Sequence, residues 1–235
     1  MRPLPLLVLL VTLTFIGSAF VTPFDGFGAG QVPIPQEDPP IQPAGWAFSI
    51  WSVIYAGLLA SAAYGVWRRA EDPAWDRVRV PLLLSLVLGT PWLAIASVSA
   101  IWATVVIVLM AATAVWALIV APRQDRWLLQ APVALYAGWL TAATVVSLGS
   151  TAAGWGVLTD SLGWAFIGIP LALLAAVAVL RRKPEAPEFA VPVAWARFGI
   201  AVKNGTALPG VTALAVAGLA SVAAVAWSGR RRAAA

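Results

Sequence analysis

Neither cysteine nor histidine occurs anywhere in the 235 residues. Without thiols there is no disulfide framework, no Cys-ligated cluster and no catalytic cysteine. Without imidazole, the commonest metal ligand, the usual haem axial ligand and the neutral-pH general base are all missing. Charge is scarce too: 11% of the residues are Asp, Glu, Lys or Arg, against about 25% in a soluble globule. What is left is apolar, 61% hydrophobic with a mean hydropathy of +0.87. This composition predicts an all-α polytopic bundle set in a lipid bilayer, with no metal and no resident cofactor. The net charge of +5 sits in short Arg clusters between apolar runs, which reads as membrane topology and not as nucleic-acid binding.

Eight apolar segments can be drawn, at about 3–22, 44–67, 80–99, 101–121, 127–149, 161–180, 189–204 and 206–228. Each is near the roughly 20 residues needed to cross about 30 Å of hydrocarbon. The Pro- and Gly-rich stretch 23–43, ending Pro39-Pro40-Ile41-Gln42-Pro43, predicts a loop and not a helix. Arg2, Arg68, Arg69, Arg77, Arg79, Arg123, Arg126, Arg181, Arg182, Lys183 and Arg230 to Arg232 fall at alternate connections or termini. The connections at 23–43, near 100 and at 150–160 hold no Lys or Arg. That alternation predicts eight spans with both termini cytoplasmic. A signal peptide is an alternative for the first segment, with Arg2, an apolar core and Gly17-Ser18-Ala19 as a small-residue cleavage site.

Thirteen tryptophans are several times ordinary usage. Trp67, Trp75, Trp127, Trp155, Trp164 and Trp227 lie at segment ends and read as a headgroup belt. Trp51, Trp92, Trp116, Trp139 and Trp195 fall within segments, where helix packing and a ligand cavity use the same residues. Gly45-Trp46-Ala47-Phe48 recurs as Gly163-Trp164-Ala165-Phe166, read as two interfacial anchors. Trp51 and Tyr55, four apart, share a helix face, as do Tyr136 and Trp139, three apart.

The stretch Pro43 to Tyr55, with Trp46 and Trp51 at a helix mouth, resembles the second helix of the tryptophan-rich TspO/translocator-protein family. Gly89-Thr90-Pro91-Trp92 sits where that family shows Asn-Xaa-Xaa-Trp, and Trp116 comes late in the fourth segment, as it does there. Trp139-Leu140-Thr141-Ala142-Ala143-Thr144 is similar to the family's Trp-Xaa-Thr-Ala-Ala-Thr run. An Asn eight residues beyond that Trp is replaced here by Ser147. The departures at Gly89 and Ser147 each remove an amide that donates and accepts hydrogen bonds. The motifs cover residues 3–149, and the longer chain resembles the extended bacterial branch of the family.

The resemblance implies a five-helix core over 1–149 with an external loop at 23–43, followed by three further helices and a basic tail over 150–235. It implies a bacterial cell-membrane protein with a tendency to dimerise, binding a planar apolar ligand such as a porphyrin, a haem precursor or a sterol-like molecule. The ligand would lie between the second, third and fifth segments, against Trp46, Trp51, Tyr55, Trp92, Tyr136 and Trp139. Thr141 and Ser147 would orient its polar edges. Rings in such a site gain about 0.5–1.5 kcal/mol per stacked pair beyond area burial. A transporter or facilitator of small apolar solutes is the alternative. Seven of the eight segments hold no ionisable Asp, Glu, Lys or Arg, which argues against ion coupling. An enzyme is the weakest reading without Cys or His, so a non-enzymatic binder is expected. Arg197 in the seventh segment is open to three readings: snorkelling toward the outer face beside Lys203, pairing with Asp160, or contact with a ligand carboxylate.

Overall fold

Asp72, Ser99 and Asp160 each start a helix by accepting a hydrogen bond from a free backbone N–H of the first turn. Asp72 accepts from Ala74 at 2.8 Å, Ser99 from Trp102 at 3.3 Å, and Asp160 from Gly163 at 2.8 Å. The structure, a computed structural model, describes residues 3–22, 26–28 and 30–234. Arg2, loop residues 23–25 and 29, and the side chain of Arg232 lie outside the described residues. The described residues form α1 (Pro3–Val21), α2 (Ile50–Arg68), α3 (Pro73–Gly89), α4 (Trp92–Ala96) and α5 (Ala100–Val120). There follow α6 (Gln130–Gly154), α7 (Ser161–Arg182), α8 (Ala190–Asn204) and α9 (Pro209–Ala234), and no strand is found among them. Among the described residues, six helices are long and apolar enough to cross a membrane: α1, α2 with the 3-10 turn Gly45–Ser49 before it, α5, α6, α7 and α9. At 1.5 Å per residue, the 15 residues of α8 reach only about 22 Å. It and α3 pack among the longer helices.

The third segment differs from its sequence reading. Its helix begins at Pro73, not near 80, because the Asp72-Pro73 start signal outweighs the charges that follow. It stops at Gly89, because Pro91 has no N–H for a helical bond. The chain restarts as α4 after that break. The fifth segment runs five residues further than drawn, to Gly154.

α6 is the most enclosed of the long helices, packed by α5, α2, α7 and α8. α3 lies between α1 and α5, while α9 closes the far side against α7 and α8. The α1 stripe Pro5, Val8, Thr12 and Phe15 repeats every three or four residues and is the face turned inward, with Leu6, Leu10 and Leu13 exposed. Lipid covers that outer face without energetic penalty, so the pattern inside is of close approach by small residues. A Cβ at Gly138 of α6 would run into the Phe189 carbonyl oxygen before α8, and a Cβ at Gly65 would lie 3.1 Å from the Trp75 ring.

The charged connections form one ordered end. Asp125 takes a two-pronged bond from Arg69, Nε at 2.7 Å and Nη2 at 3.1 Å, plus the Trp75 indole N–H at 3.0 Å. Arg79 reaches the carbonyls of Gly65 and Arg69 at 2.9 and 2.7 Å, capping the last turn of α2, and pairs with Asp76 at 2.6 Å. Lys183 donates to the Ala121 carbonyl at 2.6 Å, past the end of α5. Two of the expected belt tryptophans are therefore core residues. Trp75 is buried by its bond to Asp125, and Trp164 is buried with its indole N–H on the Val157 carbonyl at 2.8 Å. Trp67, Trp127, Trp155 and Trp227 are exposed at helix ends, as the belt reading expects, and so is Trp116 within α5.

Arg197 does not snorkel and does not meet Asp160. Its side chain is enclosed among α7, α8 and α9, while Asp160 is occupied in capping α7. Lys203 pairs instead with Asp38 of the long loop at 2.6 Å.

Candidate ligand-binding site

The tight 3-10 turn Gly45–Ser49 sends its aromatic residues in opposite directions. Trp46 turns outward against α8, edge-on to Trp195 at 5.1 Å and Phe198 at 5.6 Å. Phe48 turns inward and meets Trp139 of α6 edge-on at 5.6 Å. Trp51 stacks on Tyr55 at 5.1 Å and 27°, the contact that four-residue spacing predicts. Phe15 of α1 abuts both, at 6.0 and 5.8 Å, and Trp139 stands 6.3 Å from Trp51. Trp92 enters from α4, its indole N–H held by the Ala103 carbonyl of α5 at 2.9 Å. Edge-to-face and offset contacts of this kind fix ring orientation.

These rings border two adjoining cavities of about 320 and 310 Å³, within the range of small-molecule pockets. Phe48, Trp92, Ile107, Trp139 and Ala143 line both. The first is bordered by loop residues Gly26, Phe27, Gln42 and Pro43, and it also holds Ser147 and Ser150. The second runs toward α1 and is walled by Phe15, Trp51, Tyr55 and Met110.

Of the residues expected at the site, Trp51, Tyr55, Trp92, Trp139 and Ser147 line this paired cavity. Trp46 does not, because α8 offers it two rings on the opposite side of the turn. Tyr136 lies fully buried behind the wall. Ser85 gives its single proton to the Met110 carbonyl at 2.8 Å, so the Tyr136 hydroxyl, 2.9 Å away, donates to Ser85. Tyr136 thus supports Phe15 and Trp51 from below. Thr141 lines neither cavity, since its hydroxyl turns back to the Ala137 carbonyl at 2.8 Å.

Both departures from the Asn pattern have a structural counterpart. A Cβ at Gly89 would lie 2.6 Å from the Phe15 ring and 2.8 Å from Met110, so Phe15 occupies the space an Asn would need. The Ser147 hydroxyl joins Thr104 at 2.7 Å, and Thr104 joins Thr151 at 2.8 Å. This buried hydroxyl row edges the first cavity. Phe15, Phe48, Met110 and Ser150 are wall residues that the sequence reading missed. The period of the Pro5-Val8-Thr12-Phe15 stripe was the available signal for Phe15.

The long loop is tied down over the first cavity. Gln31 donates to the Ala96 carbonyl at 3.0 Å, and the Ile34 N–H to Gly154 at 2.9 Å. Ile41 is buried where Gly149 and Gly168 leave room for it. At α8, Lys203 donates to the Pro39 carbonyl and Asn204 to that of Pro40, each at 2.9 Å, and the Ala44 N–H reaches Gly199 at 3.3 Å. The C-terminal helices thus hold the cover of a cavity built by the N-terminal ones. Lys203→Ala with Asn204→Ala should speed hydrogen exchange at the Gln42 and Ala44 amides by about tenfold or more, the loss of roughly 1.4 kcal/mol of local protection. Unchanged exchange there would show that the loop holds itself.

A sequence profile described as TSPO-like protein matches residues 3–227. The match continues through α7, α8 and most of α9, beyond residue 149 where the motifs stop. No curated protein and no solved structure matches the chain.

Proposed function

The chain belongs to the TSPO-like protein family, and from that premise we propose that it is a non-enzymatic membrane protein that binds a planar apolar ligand. The ligand class is porphyrins, tetrapyrrole precursors or sterol-like molecules, and the role is sensing or trafficking. One observation carries this reading: Trp51, Tyr55, Trp92, Trp139 and Phe48 wall a pair of adjoining cavities. Rings fixed in advance lose little freedom when a flat ligand slides between them, and each stacked pair adds about 0.5–1.5 kcal/mol. Ser147 and Ser150 supply polar contacts at one edge, which set orientation more than affinity.

The test is a comparison of binding and flux in sealed vesicles containing the purified protein. Saturable uptake of protoporphyrin IX into the protein, with no protein-dependent passage to the lumen, is the expected result. Passage that scales with the amount of protein favours a facilitator instead.

Orientation in the membrane belongs to the same proposal. A reporter fused after Arg232 should be cytoplasmic, and a tag inserted beside Gly28 external, since the basic connections lie on the inner side. Finding both on one side would remove the external position of the loop that covers the cavity.

A further inference from the structure

Arg197 stands mid-helix in α8, is 2% exposed, and takes no part in the aromatic cavity. Its Nη2 donates to the Ile169 carbonyl of α7 at 3.0 Å, and Nη1 reaches Val193 one turn back at 3.4 Å. A guanidinium carries five N–H donors, and here the Nε hydrogen has no acceptor at all. No carboxylate meets it among the described residues: Asp160 caps α7, and Asp38 pairs with Lys203. Yet the bundle makes room for this side chain. It lies against Gly218 of α9, where a Cβ would be 2.5 Å from Nε. An unpaired cation inside a membrane bundle is costly, and packing alone is served better by an apolar residue.

Beside Arg197 is a small cavity of about 20 Å³, room for one water-sized group. Ala142, Val146 and Ala196 line both this space and the larger cavity of Trp92 and Trp139. Two alanines and one valine are thus wall residues common to the space beside the guanidinium and the aromatic site.

We propose that Arg197 is the anion-recognising end of the site, receiving a carboxylate oxygen from an apolar acid whose ring system lies in the aromatic cavity. The inference rests on that cavity being a ligand site. The chemistry is matched: a guanidinium fork bonds carboxylates through charge-assisted N–H donors, about twice as strong as neutral ones. It also supplies discrimination that the stacked rings lack, since rings hold an acid and its ester alike.

The test uses the full-length protein in lipid nanodiscs, with protoporphyrin IX and its dimethyl ester as probes. Wild-type protein should prefer the acid by about tenfold. Arg197→Leu and Arg197→Gln should each abolish that preference while ester affinity stays within about twofold, and Arg197→Lys should keep part of it. Glutamine retains an N–H donor for the Ile169 carbonyl, so it restores a merely structural arginine but not one that recognises charge. Retained ester binding is the check that each variant is folded. Equal affinity of wild type for acid and ester overturns the assignment and leaves the aromatic site standing. Acid preference that survives in Arg197→Gln also overturns it. Binding of neither probe removes the aromatic site, and this inference with it.

Discussion

Trp139→Ala should weaken porphyrin binding by about tenfold or more, the largest loss expected from any single wall residue. Trp139 borders both cavities and is held edge-on by Phe48 and Trp51. Its removal takes away a stacking surface for the ligand and also loosens two rings that remain. Each aromatic pair is worth about 0.5–1.5 kcal/mol, and tenfold in affinity is about 1.4 kcal/mol, so one lost ligand contact with partial loss of a neighbour reaches that effect. Trp51→Ala should cost about tenfold, since Trp51 borders one cavity only. Trp227→Ala should leave affinity unchanged, because that ring is exposed near the end of α9 beneath Arg231. Direct titration of the three variants checks this, and equal losses in all three would mean general destabilisation in place of a localised site.

Asp125→Ala should be strongly destabilising, although Asp125 lines neither cavity. The carboxylate holds Arg69 in two bonds and accepts the indole N–H of buried Trp75. Losing it leaves that N–H buried without an acceptor, a cost of about 1–3 kcal/mol before the ion pair is considered. The same arrangement predicts acid sensitivity. Hydrogen bonding from Arg69 first, and from Trp75 after it, holds the Asp125 carboxyl below the usual carboxylate range. Its contribution is therefore fully present above its unfolded value near pH 4, and is lost as pH falls through the lower folded value. Thermal stability of wild type should drop across that acid interval, and Asp125→Asn should show a smaller drop from a lower starting point. Parallel pH profiles for the two would remove Asp125 as the titrating group.

Much of this architecture is written in the chain's apolar runs and caps. The segments drawn at 161–180 and 189–204 correspond closely to α7 and α8, because Asp160 gives a clear start and Gly205, with φ +45°, a clear end. The third segment, read as 80–99, starts too late because a hydropathy run ignores polar first turns: Asp76, Arg77 and Arg79 lie inside α3. Trp51 and Tyr55 were legible as one face, since helical spacing alone stacks them. Trp46 was not, because which way a ring leaves a 3-10 turn depends on what waits on each side, and α8 brings Trp195 and Phe198 to it from far along the chain. Arg197 could not be placed for the same reason. Whether a mid-helix cation reaches the headgroups or is sealed by Gly218 is decided by a neighbouring helix, and not by its own.

The most direct measurement of the central claim is a thermal-stability titration of the purified protein with protoporphyrin IX. A ligand that binds the folded bundle raises its stability as RT ln(1 + [L]/Kd), so the transition should climb steadily with the logarithm of free ligand once the site fills. The account predicts that rise in wild type, its displacement to about tenfold higher concentration in Trp139→Ala, and wild-type behaviour in Trp227→Ala. A transition that does not move with ligand, or that moves equally in all three proteins, would contradict a ligand site walled by Trp51, Trp92 and Trp139.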